Sequence, residues 1–83
     1  LSISDEAVIK ITGPTNIVGG VIINPNATFF ASDGLVLITG NTTNNGFVHM
    51  IGADIIPQGG IVGNGRVKWE PRAYNKQLIP RGN

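Results

Sequence analysis

The chain reads as all-β, on three observations. From Val18 to Trp69, short runs of Val, Ile, Leu and Phe alternate with clusters of Gly, Asn and Pro. Several of these runs alternate apolar and polar residues with period two, as strands with one wet face do. No segment has helical periodicity, and 73–79 has room for one turn at most. The expected architecture is a small sandwich, roll or open barrel of short strands, with a stack of β-solenoid rungs as the alternative. Residues 1–70 form the expected β domain, and 71–83 an extended basic tail.

Leu1 to Glu6 is a mostly polar lead-in. Ala7 to Thr12 sets Ile9 and Ile11 against Lys10 and Thr12, a strand. Gly13-Pro14-Thr15-Asn16 is a turn. Ile17-Val18 leads into Gly19-Gly20, where the backbone can bend. Val21-Ile22-Ile23 is continuously apolar, which predicts a strand buried on both faces. Asn24-Pro25-Asn26 is a second turn, with proline presetting φ. Thr28 to Ala31 is a strand closed by Ser32-Asp33-Gly34. Leu35 to Thr39 is another, closed by a loop over Gly40 to Gly46.

Asn45-Gly46 predicts a type I′ hairpin turn. Phe47 to Ile51 follows as a strand with Phe47, His49 and Ile51 on one face. Gly52 interrupts before Ala53 to Ile56, and Pro57 to Gly60 turns again. Ile61-Val62 is long enough for a brief pairing. Asn64-Gly65 is a second type I′ signal, followed by Arg66 to Trp69. Glu70-Pro71 ends the regular region, because the residue before proline is pushed to extended geometry. Ile11-Thr12-Gly13 recurs as Ile38-Thr39-Gly40, 27 residues on. A solenoid would show such recurrence, but only two units and a partial third fit that spacing.

Eighty-three residues allow one domain. A chain this short buries only about 60% of the surface its unfolded form exposes, so its core is small. The chain has no Cys and one His. Disulfides, thiolate metal sites and multi-His sites within one chain are therefore excluded. Association with other subunits is the remaining way to stabilise so small a domain. Low charge favours it, since little repulsion opposes contact. The net charge of +1 divides unevenly. Residues 1–65 sum to −3 through Asp5, Glu6, Asp33 and Asp54 against Lys10. Residues 66–83 sum to +4 through Arg66, Lys68, Arg72, Lys76 and Arg81 against Glu70. Opposite ends of opposite sign suit contact between neighbours.

The chemical inventory is thin. His49 is the one side chain whose ordinary pKa lies near neutrality. It lies on a strand face between Phe47 and Ile51, with no nucleophile in a recognisable setting, so a part-buried or interfacial role is expected. Asp33, Asp54 and Glu70 would suit a carboxylate pair only in a cleft, which so short a chain can hardly build. Asp33 precedes Gly34 in the manner of a turn residue. No run resembles a calcium loop. Gly59 to Gly65 lacks the Lys-Ser/Thr of a phosphate-binding loop. Asn26-Ala27-Thr28 and Asn41-Thr42-Thr43 match the N-glycosylation pattern. No cofactor is implied, and the sequence predicts no enzyme. No apolar run approaches the roughly 20 residues that span a bilayer. Leu1 stands where a translated chain has Met, as expected of a processed chain or a fragment.

Ile23-Asn24-Pro25-Asn26, preceded by apolar residues and followed by Phe29-Phe30, resembles a short motif in the secretion domains of filamentous-haemagglutinin-type adhesins. Those domains are β-helices. The family usually has Gly after the second Asn, where this chain has Ala27, and the resemblance covers only these residues. It points to β-rich bacterial or viral surface proteins.

These features predict a structural subunit of a self-assembling extracellular, cell-surface or virion structure such as a filament, fibre, capsid or decoration protein. Association would run through strand addition and the C-terminal tail. The expected contact residues are Ile9, Ile11, Trp69, Arg72, Tyr74, Leu78 and Ile79. An adhesin or carbohydrate-binding module, using Asn and Thr of the 41–46 loop with an aromatic platform, is the alternative. A small nucleic-acid-binding barrel, using the cations and aromatics from Arg66 to Arg81, comes third.

Overall fold

A computed structural model describes residues 1–71. Nine strands form among these residues, and every pairing between them is parallel. They are β1 (Ser2–Ile3), β2 (Val8–Thr12), β3 (Thr15–Ile17), β4 (Val21–Ile23), β5 (Thr28–Ile38), β6 (Thr42–Asn44), β7 (Phe47–Pro57), β8 (Ile61–Val62) and β9 (Arg66–Glu70). One sheet runs β1-β4-β6-β8, and the other runs β2-β5-β7-β9 with β3 also paired to β5.

The registers define the architecture. Ser2 pairs with Ile22, Thr28 with Phe47, Phe47 with Arg66, and Thr15 with Val36. Each strand thus lies against the one a single turn later, and the chain winds through about four turns of a β-solenoid. The all-β class stands, and of the two architectures left open by the sequence it is the solenoid that forms.

Three faces surround one core. The first is β1-β4-β6-β8. The second is β2, the first half of β5, the first half of β7, and β9. The third is β3 with the second halves of β5 and β7. Period-two alternation sends Val21, Ile23, Phe29, Ala31, Val36, Ile38, Val48 and Ala53 inward, where they are buried. Like side chains stack over like, so each turn covers the apolar face of the one below.

The corners set the winding. Thr12 pairs with Ser32 and Ser32 with Ile51, which puts Gly13, Asp33 and Gly52 in register. All three have left-handed φ, at 88, 61 and 63°. β5 and β7 bend there without breaking, so Ser32-Asp33-Gly34 does not close a strand as expected, and neither does Gly52. At another corner Gly19, Gly40 and Gly59 stack so closely that a Cβ on Gly40 would sit 2.5 Å from the Gly19 carbonyl carbon.

Further expectations are corrected. The two hairpins do not form. A type I′ turn needs positive φ at both central residues, and neither Asn45-Gly46 nor Asn64-Gly65 has it. The chain instead rounds a corner, from β6 to β7 and from β8 to β9, into a different sheet. Val21-Ile22-Ile23 is buried on one face only, with Ile22 47% exposed. Thr15–Ile17 and Thr42–Asn44 are strands within segments read as turn and loop. The 27-residue recurrence is not the turn of the solenoid, whose rungs repeat every 19 to 21 residues, as Thr28–Phe47 and Thr15–Val36 show.

Candidate functional site

Two regions of the solenoid hold those site residues expected from the sequence that are described near its C-terminal end. The first is its C-terminal mouth. In a solenoid the inward residues of a rung are covered by the rungs on both sides. Among the described residues, β8 and β9 have a neighbouring rung on one side only. Ile61, Val67 and Trp69 continue the buried columns yet are 50, 54 and 54% exposed. Beside Ile61 and Val67, which line it, lies an apolar cavity of about 250 Å³, lined also by Phe29, Ile38, Val48, Met50 and Ile55. Thr42 Oγ1 is buried at its wall with no hydrogen-bond partner among the described residues. The Trp69 indole N–H donates to the Ala53 carbonyl at 2.9 Å.

The second is the outer surface of the second face. Pairing stacks Lys10, Phe30, His49 and Lys68 in one column, and Thr12, Ser32, Ile51 and Glu70 in the next. The Phe30 ring meets His49 edge to face at 5.1 Å, and Phe47 lies 5.6 Å from His49. His49 Nε2 is 2.6 Å from Glu70 Oε2, and Lys68 Nζ is 3.6 Å from the same oxygen. The hydrogen bond with His49 and the charge of Lys68 hold the Glu70 carboxyl below the ordinary carboxylate range. His49 is therefore engaged by a carboxylate and two rings, on an open face without a cleft.

The other chemical candidates scatter. Asp54 is exposed on the third face, and Asp5 and Glu6 occupy the first-rung corner leading into β2. Asp33 occupies the left-handed corner described above. Among the described residues no three His, Asp or Glu gather in a way that would hold a metal ion. No helix among them is long and apolar enough to cross a membrane.

Of the expected contact residues, Ile9 and Ile11 are half-buried and packed against the core of the first rung. Trp69 is at the mouth. Arg72, Tyr74, Leu78 and Ile79 lie outside the described residues, as does the basic tail apart from Pro71. Sequence reasoning missed Ile61 and Val67 as exposed apolar groups. Only the solenoid winding reveals that their inward columns end there. No protein-family model, curated protein or solved structure matches this chain.

Proposed function

We propose that this chain is a structural subunit of a larger assembly, and that it packs end to end with a second copy through the solenoid mouth. The observation that carries the reading is the half exposure of Ile61, Val67 and Trp69 at the end of otherwise buried columns. Solenoid ends need a cap or a neighbour, because each rung buries its apolar face only against the next. The outer edge of β9 has no strand paired to it among the described residues, and such edges accept further strands.

The first rung of the described residues supplies a matching surface. A parallel ladder repeats by translation, so the first rung of one copy can follow the fourth rung of another in the same register. Leu1, 52% exposed, then covers Ile61, while Ile9 covers Val67 and Ile11 covers Trp69. One like-charged pair, Lys68 beside Lys10, opposes this and costs less than about 1 kcal/mol on an exposed face. Contact of one end with the other is heterologous and propagates into a filament where it does not close into a ring. A cell-surface or virion location fits this reading.

The test is molar mass in solution by light scattering, for the wild type and for Val67→Lys, over a range of concentrations. The reading expects concentration-dependent oligomers for the wild type. It expects a monomer with unchanged circular dichroism for the variant, because a lysine at the mouth buries an unpaired charge in the contact. A wild type that stays monomeric at all concentrations sinks the reading. So does a variant that assembles as well as the wild type.

A further inference from the structure

A groove runs along the solenoid axis at the corner between the first and second faces, on the opposite side of the second face from the left-handed corner. Its origin is a change in corner length. Between Ile23 and Thr28 the second rung carries residues 24–27, whereas the third rung passes from Asn44 to Phe47 with Asn45 and Gly46 alone. The second-rung corner thus carries two residues more, and Asn26 at its end is exposed. Ala27, Gly46 and Gly65 line the groove between its two sides, with Ala27 itself fully buried. Gly46 has no room to fill in, since a Cβ there would meet the Ala27 carbonyl oxygen at 2.5 Å. The space enclosed is about 440 Å³.

The walls are polar and repeat by rung. Asn26, Asn45 and Asn64 line one side, and Thr28, Phe47 and Arg66 the other. The Arg66 guanidinium stacks on the Phe47 ring, 5.1 Å from its centroid. That stacking pre-organises the cation at the groove edge. Arg66 has no ion pair among the described residues, and no carboxylate lines the groove.

We propose that this groove binds an acidic oligosaccharide lying along the solenoid axis, with a sugar carboxylate on Arg66. Three properties select that class. The Asn26 and Asn64 amides and the Thr28 hydroxyl can both donate and accept, as sugar hydroxyls do, and the Asn45 amide donates while its Oδ1 accepts from the Asn64 N–H at 3.2 Å. Successive rungs are about 4.8 Å apart, close to the length of one pyranose unit in an extended glycan, so one sugar can meet one asparagine per rung. An unpaired guanidinium takes a carboxylate in two-pronged fashion. A peptide fits less well. The backbone between the two sides is already used within the ladder, with Phe47 N–H donating to Ala27 and Arg66 N–H to Gly46, so no strand can add there. The groove also lacks apolar pockets for peptide side chains.

Isothermal titration with trigalacturonic acid and 3′-sialyllactose, against lactose as the neutral probe, tests this. At least one acidic sugar should bind, with lactose about tenfold weaker or worse. Arg66→Gln and Asn45→Ala should each weaken the acidic sugar by about tenfold, while Lys68→Gln, outside the groove, should not. Thermal melts of each variant establish that the fold persists. Failure of both acidic sugars to bind overturns the proposal, as does undiminished binding by Arg66→Gln. Tighter binding of an acidic peptide or an oligonucleotide at the same residues overturns it too.

Discussion

Trp69 and Ala53 close the solenoid's end across a gap that no strand fills among the described residues. Glu70 pairs with Ile51, so Pro71 stands in register with Gly52, whose φ is 63°. Proline is held near −65° and cannot repeat that corner. The second half of β7, from Ala53 onward, has no outer strand among the described residues, and the Trp69 indole supplies a donor to the Ala53 carbonyl.

Trp69→Phe keeps an apolar ring at this position and removes that donor. It should destabilise the chain by about 1 kcal/mol in urea unfolding, the worth of one hydrogen bond to a part-buried carbonyl. An unchanged midpoint would mean that water satisfies Ala53 as well as the indole does.

Thr42 carries the opposite lesson. Its hydroxyl is buried without a partner among the described residues, in a column between Val21 and Ile61. Thr42→Val keeps the shape and removes the cost of desolvating the hydroxyl, which should stabilise the fold by about 1 kcal/mol. A loss of stability would show that the hydroxyl is satisfied after all.

Much of the strand content was legible because period-two alternation is a local signal. Ile9/Ile11 and Val67/Trp69 lie on the shared faces that alternation assigns them. What was not legible is which strand meets which. Asn45-Gly46 has the composition of a tight hairpin, yet the chain turns there by a corner that needs no positive φ. Packing chose between the two: Val48 finds its apolar neighbour in Phe29, one turn earlier, and not across the turn in β6. The repeat hid for a similar reason. Thr12 pairs 20 residues ahead and Thr15 pairs 21 ahead, so insertions at corners blur any fixed period. The polar groove was invisible because Asn45 and Asn64, alike in sequence, come together only by winding.

The corner at Gly40 is a packing constraint. Backbone atoms of Gly19 and Gly20 lie 2.5 to 2.7 Å from where a Cβ would stand, so no rotamer can relieve the clash. Gly40→Ala must push two rungs apart and should cost about 1–3 kcal/mol. Val18→Ala, at a position 88% exposed on the same bend, should change stability by less than about 0.5 kcal/mol. Chemical denaturation of the pair checks both, and equal effects would refute the stacking account.

Asn44 ties two rungs together from inside. It is 3% exposed, its Nδ2 donates to the Arg66 carbonyl at 3.1 Å, and its Oδ1 accepts from the Gly46 N–H at 3.1 Å. Asn44→Ala leaves both backbone groups without those bonds and should cost about 2 kcal/mol. The loss should concentrate at the C-terminal end, because the bond to Arg66 adds a side-chain tie to the β7–β9 ladder that holds β9 on the third rung. Amide hydrogen exchange should therefore speed up in β8 and β9 while β4 and β5 stay protected. Uniform acceleration across the chain would mean that the rungs melt together and that Asn44 is not a local tie.

Glu70 gives the fold an acid-sensitive contact. Its carboxyl is held below the ordinary carboxylate range by the hydrogen bond with His49 and by Lys68. A depressed folded-state pKa means that the folded state binds this proton less readily than the unfolded chain. The contribution is thus present above the unfolded value and is lost as pH falls through the folded one. The pair is exposed enough for water and salt to weaken it, so the effect should be modest. Thermal melts of the wild type and Glu70→Gln should differ near neutral pH and converge as pH drops below the ordinary carboxylate range. Raising salt at neutral pH should also narrow the gap. A gap that persists unchanged into acid would assign the effect of the substitution to packing against His49, not to the carboxylate's charge.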